Sequence, residues 1–70
     1  KPKPGELAFK DRDVKILKLV SSGYTNAQIA DALFLSPESV KKYLYDIFQN
    51  LGVKNRMNAV IKAKEIGVIQ

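Results

Sequence analysis

Apolar and polar positions recur along this chain with the period of a helix rather than that of a strand. From Phe9 to Val20, the residues Phe9, Ile16, Leu17 and Val20 share one face, and Asp11, Arg12, Lys15 and Lys18 fall largely outside it. Asp11 and Asp13 put negative charge in the first turn, where the helix dipole favours it. Gly23 follows the last periodic residue and is placed to take the left-handed conformation that ends a helix. A second start comes at once, because Thr25-Asn26-Ala27-Gln28 fits a capping box. Ile29, Ala30 and Leu33 then give a stripe only about two turns long. Ser36 as N-cap and Pro37 as first helical residue open a third helix running from Pro37 to about Leu51. Val40, Leu44, Ile47, Phe48 and Leu51 form its core face. Gly52 ends it, Asn55 caps a fourth helix from Arg56 to Ile66, and Gly67 closes that one. The pattern therefore predicts an all-α fold: a four-helix, bundle-like domain in which the second and third helices form a helix-turn-helix.

Seventy residues make one domain, and 46% hydrophobic content is normal for a folded one. The segment Lys1-Pro2-Lys3-Pro4-Gly5 has no apolar core behind it, so it is not a signal peptide. Residues 1–8 read as the remnant of a proline-stiffened linker from a longer protein, with the domain proper at 9–70. No stretch of roughly 18 apolar residues is present to span a membrane. The chain has no cysteine and no histidine. That removes thiol nucleophiles and zinc–thiolate sites, and is compatible with a reducing cytoplasm. Without a glycine-rich phosphate loop, and with its acidic residues scattered, the chain gives no support for catalysis, a metal or a cofactor.

Twelve Lys+Arg against seven Asp+Glu give a formal charge of +5, which favours polyanionic partners only weakly until the charges are placed. The third helix places them. Two helices joined by Phe34-Leu35-Ser36 have the layout in which the second one enters the major groove of DNA. Opposite its core stripe lie Glu38, Lys41, Lys42, Tyr45 and Gln49, one continuous surface. Lysine can donate to guanine O6 and N7, glutamine can pair with adenine, and Tyr45 can pack on a thymine methyl or bond a phosphate. The bland alternative is the solvated face of an amphipathic helix. Against it stand the capped N-terminus one turn away, the adjacent lysines and the exposed ring. Glu38 departs from the basic trend and fits the helix N-terminus better than a base contact. The starts of helix two (Thr25, Asn26, Ala27) and helix three (Ser36, Ser39) offer N–H groups to phosphate. Lys54 and Arg56 lie where a further phosphate contact is feasible, and Arg56 serves equally well as a salt-bridge partner within the domain.

From Phe9 to Ile69 the chain resembles the LuxR-type (GerE-like) DNA-binding domain of bacterial response regulators. The likeness is carried by Asp11-Arg12-Asp13 with Ile16-Leu17-Lys18-Leu19-Val20, and by Gly23-Tyr24-Thr25-Asn26-Ala27-Gln28-Ile29-Ala30. It continues through Leu35-Ser36, Ser39-Val40-Lys41, Ile47-Phe48, Leu51-Gly52-Val53 and Arg56, then Ala59-Val60, Ala63 and Gly67-Val68-Ile69. The resemblance implies base or groove contacts at Lys41, Lys42 and Tyr45. It implies phosphate contacts at Thr25, Asn26, Ser39, Tyr43 and Lys54, and sometimes at Arg56. Two positions depart from the pattern. Lys10 stands where a threonine usually caps the first helix, so Asp11 can start that helix instead. Tyr43 replaces a common histidine, with a hydroxyl able to reach phosphate and a ring able to turn to the core.

Helix four carries its core stripe on Ala59, Val60, Ala63 and Ile66, which leaves Met57 and Ile61 pointing elsewhere beside Lys64 and Glu65. Scattered exposed apolar residues are ordinary. Yet a domain this small offers few base contacts, and two-fold pairing doubles them on a palindromic site. The resemblance implies dimerisation through this helix, giving Met57, Ile61 and Lys64 as interface residues and a pseudo-palindromic operator as the double-stranded DNA partner. It also implies an N-terminal regulatory domain, a phosphorylated receiver by family analogy. RNA polymerase is a further partner to test. Two rival readings are a helical protein-interaction module and a sigma-factor-like promoter reader.

Overall fold

The structure, a computed structural model, describes residues 9–70, so the linker expected over residues 1–8 lies outside the described residues. Among the described residues four helices follow one another: α1 (Asp11–Ser21), α2 (Asn26–Leu33), α3 (Pro37–Leu51) and α4 (Arg56–Glu65). The bounds of α3 are those its capping residues predict. Ser36 Oγ accepts from the Ser39 amide at 3.1 Å, and Pro37 supplies the first turn without needing an acceptor for an N–H. The capping box of α2 also forms. Thr25 Oγ1 accepts from the Gln28 amide at 3.2 Å, and the Thr25 amide donates to Gln28 Oε1 at 2.9 Å. Asn55 Oδ1 accepts from the Asn58 amide at 2.8 Å and starts α4, which ends at Glu65 with Ile66 as its C-cap.

The first helix departs from the periodicity. It begins at Asp11, with Lys10 as N-cap, so Phe9 packs against the core from the preceding residue pair rather than from the helix. An ammonium group only donates, so Lys10 cannot cap with its side chain. Asp13 Oδ2 instead accepts from the Lys10 amide at 3.1 Å, which draws Asp13 into a buried position.

Helix ends are sealed by left-handed residues. Gly23, Gly52 and Gly67 take φ of 87°, 71° and 80°. The end of α2 is different, because the residue there is Phe34 at φ 58°. That residue is 95% exposed, while the Leu35 amide closes back onto the Ala30 carbonyl at 2.8 Å. This is a Schellman-type closure built on a residue that pays a steric cost for it.

The core is aliphatic: Ile16, Leu17, Val20, Ile29, Ala30, Val40, Leu44, Ile47, Leu51, Ala59, Ala63 and Ile69 are buried together. Each large member stabilises the fold by about 1.5–3 kcal/mol relative to exposure. Helix α3 touches all three others and lies chiefly on α2, whereas α4 lies chiefly on α1. The face of α3 opposite this core is therefore held rigidly from behind.

Candidate nucleic-acid interface

The rigid backing decides what α3 presents. Val40, Leu44, Ile47 and Leu51 are buried, and the residues displaced half a turn from them are exposed: Glu38, Lys41, Lys42, Tyr45 and Gln49. Lys41, Lys42 and Tyr45 thus lie together on one accessible surface, and Tyr45 is 65% exposed. Lys41 and Tyr45 border a shallow cleft of about 230 Å³ that Asn26 and Arg56 close from the other side, with Leu44 and Phe48 also lining it. Charge on α3 and the start of α2 therefore face one space.

The two helix starts differ in what they can offer an anion. At α2 the box consumes the amides of Thr25 and Gln28, and those of Asn26 and Ala27 have no acceptor within the helix. At α3 Pro37 has no N–H and the Ser39 amide is capped, which leaves Glu38 alone. Ser39 is further occupied because its Oγ accepts from Ser36 Oγ at 2.9 Å. The start of α2 therefore leaves more amides open than the start of α3. Thr25 and Lys54 are exposed, and Lys54 sits in the turn between α3 and α4.

Two other residues of the expected phosphate set are engaged within the domain. Arg56 turns inward. Its Nη1 donates to Asn26 Oδ1 and its Nη2 to the Tyr24 carbonyl, each at 2.6 Å, so the partners are neutral oxygens rather than the carboxylate a salt bridge would supply. Tyr43 is half-buried against the core, and the Arg12 guanidinium lies over its ring. The partner of Tyr43 is thus a residue that periodicity had placed largely outside the helix face. Arg56 carried a local signal: a cation at the first position of a helix opposes the dipole and calls for an acceptor nearby. No such signal pointed to Arg12, since its partner lies 31 positions on.

On α4, Met57, Ile61 and Lys64 follow one another at helical spacing on the side away from Ala59 and Ala63. All three are exposed, Met57 by 74% and Ile61 by 52%. Among the described residues no group of three or more His, Cys, Asp or Glu is placed to hold a metal ion. None of the helices described is long and apolar enough to cross a membrane.

Comparison with known proteins agrees with the fold. The model of a family described as "Bacterial regulatory proteins, luxR family" matches residues 8–63. The transcriptional regulatory protein ComA of Bacillus subtilis is 43% identical across 99% of this chain, which covers 35% of ComA. The DNA-binding transcriptional activator DevR/DosR of Mycobacterium tuberculosis is 39% identical across 80% of this chain and 26% of its own length. Among solved structures, the response regulator ChrA of a heme-sensing two-component system superposes with a TM-score of 0.87 at 36% identity. The superposition covers 99% of this chain and 33% of ChrA. The chain thus spans about a third of the length of such relatives. On its sequence, the four helices of its described residues and the helix-turn-helix they build, the chain belongs to the luxR family of bacterial regulatory proteins.

Proposed function

We propose that this chain is the DNA-binding output domain of a bacterial transcriptional regulator of the two-component type, with residues 9–70 as the binding unit. The observation that carries the reading is the pairing of two surfaces across one cleft. Lys41, Lys42 and Tyr45 stand exposed on a helix fixed from behind, beside a helix start with unsatisfied N–H groups at Asn26 and Ala27. Helix α3 enters the major groove, where Lys41 and Lys42 donate to base edges and Tyr45 packs in the groove. Thr25, Asn26, Ser39, Tyr43 and Lys54 position the domain on phosphates. Arg56 lies beside the same anion site.

Two copies on a pseudo-palindromic operator pair through α4, with Met57, Ile61 and Lys64 at a small isologous contact. The regulator acts in the cytoplasm, is not an enzyme in this domain, and needs no cofactor here. An N-terminal regulatory domain controls pairing, and RNA polymerase is the partner downstream. These statements rest on the family and on the exposure of the α4 face.

The test is fluorescence anisotropy of the domain on mixed-sequence duplex DNA across a salt series, beside a Lys41→Ala/Lys42→Ala double variant. Binding that weakens steeply with salt and is cut by the double variant supports α3 on DNA. No binding at low salt up to hundreds of micromolar domain overturns the reading in favour of a protein-interaction module.

A further inference from the structure

Arg56 joins two helices that otherwise do not pack extensively on each other. Contacts of α2 run chiefly to α3 and those of α4 chiefly to α1, and the Arg56 side chain bridges the gap from the first residue of α4 to the start of α2. Its two Nη groups grip the chain on either side of the Thr25 cap: the Tyr24 carbonyl before it and the Asn26 side chain after it. Thr25 itself is locked to Gln28. Three consecutive residues at the anion-facing start of α2 are thereby fixed.

A guanidinium has donors and no acceptor, so the Asn26 atom it meets must be the carbonyl oxygen. That settles which way the amide points. Nδ2, with its two donors, faces away from Arg56, and no hydrogen bond within the described residues occupies it. The charge-assisted bond to Oδ1 also polarises the amide and strengthens what Nδ2 can donate. Asn26 lies on the rim of the cleft it shares with Lys41 and Tyr45, next to the free amides of α2.

We propose that Arg56 is a positioning residue for DNA binding: it turns the Asn26 amide so that Nδ2 donates to a backbone phosphate at the start of α2, and makes no phosphate contact itself. This rests on the DNA-binding reading above and assigns the working donor within it. The alternative, Arg56 swinging out to neutralise a phosphate directly, must break both of its 2.6 Å bonds and release Asn26.

The experiment is a double-variant cycle on the same mixed-sequence duplex, using Asn26→Ala, Arg56→Lys, Arg56→Ala and the pair Arg56→Lys/Asn26→Ala, each titrated across salt. A hydrogen bond to a charged group is worth about tenfold in affinity. Arg56→Lys and Asn26→Ala should each weaken binding by about that factor, and the pair by no more than either alone. The log–log salt slope should hold in both Arg56 variants. Retained charge in Arg56→Lys should not rescue binding, because an ammonium cannot span both acceptors. Should Arg56→Ala fold poorly, Arg56→Lys still decides, with the Asn26 side-chain amide resonances as a second readout: they shift on adding DNA in the wild type and not in Arg56→Lys. Additive losses, rescue by lysine, or a slope lowered by about 0.9 in Arg56→Ala overturn the proposal and leave DNA binding standing. Failure of the wild type to bind at all overturns both.

Discussion

The guanidinium carbon of Arg12 lies 3.8 Å from the centroid of the Tyr43 ring, fastening the start of α1 to the middle of α3. Arg12 Nη2 is also 3.5 Å from Asp13 Oδ1, and its Nε is buried without a hydrogen-bond partner among the described residues. The stack must therefore offset an unsatisfied donor as well as hold two helices. A cation over a ring stabilises by about 0.5–2 kcal/mol, according to how well water is excluded. Replacing Tyr43 by Leu keeps apolar bulk and removes the ring face, and is expected to lower stability by about 1 kcal/mol, a Tm change of about 4–8 °C. Tyr43→Phe retains the ring and should melt near the wild type. It separates the second role of Tyr43: if the hydroxyl reaches a phosphate, Tyr43→Phe weakens DNA binding several-fold. An unchanged Kd removes Tyr43 from the phosphate set.

Phe34 ends α2 in the left-handed region with its ring in solvent. A non-glycine residue loses about 1–2 kcal/mol there, and glycine's extra freedom in the unfolded chain returns about half of the gain from replacing it. Phe34→Gly is expected to raise stability by about 0.5–1 kcal/mol, read in urea melts as a higher midpoint at unchanged slope. A lower midpoint means the ring makes contacts that its exposure does not show.

Gly52 tests the same conformation in reverse. A Cβ built there meets nothing within 4 Å, so any cost is conformational alone. Gly52→Ala should lose about 1–2 kcal/mol, and Gly52→Asn distinctly less because asparagine tolerates the left-handed region. Equal losses in thermal melts of the two variants would point to packing instead.

Lys42 sits at the centre of the exposed α3 face. If it reads a base, Lys42→Ala should reduce discrimination between a selected operator and its single-base variants by about 1–3 kcal/mol at one position. A uniform loss on every sequence assigns it to phosphate.

Ile61, half exposed beside Met57, is the residue to change for pairing on α4. Ile61→Asp should keep its melting temperature, since the side chain lies off the core. It should leave one domain instead of two on a palindromic duplex in sedimentation velocity. Identical assembly by both proteins refutes the α4 contact.

What could be read from the sequence was what depends on neighbours along the chain. Ser36-Pro37, the Thr25–Gln28 box and Asn55 are local signals, and the helices begin where those residues set them. Phe9 misled because an apolar residue can reach the core from just outside a helix that Lys10 caps poorly. The exposed face of α3 was legible as the complement of its core stripe. An inward turn of Arg56 was legible as one of two readings, but its partners and the Arg12–Tyr43 stack were not, because each pairs residues about 30 positions apart whose meeting depends on how helices cross. The left-handed Phe34 was hidden for another reason: composition at a helix end suggests glycine, and nothing local marks the exception.

The aliphatic core has a practical corollary for spectroscopy. With no tryptophan in the chain, ultraviolet emission comes from Tyr24, Tyr43 and Tyr45. None of the three is in the buried cluster, but Tyr43 packs against it beneath Arg12, whereas Tyr45 stands on the exposed surface of α3 and Tyr24 at the approach to α2. Two of the three emitters accordingly report on that surface, and a titration followed by the tyrosine emission of a Tyr43→Phe variant observes the interface without any label attached to it.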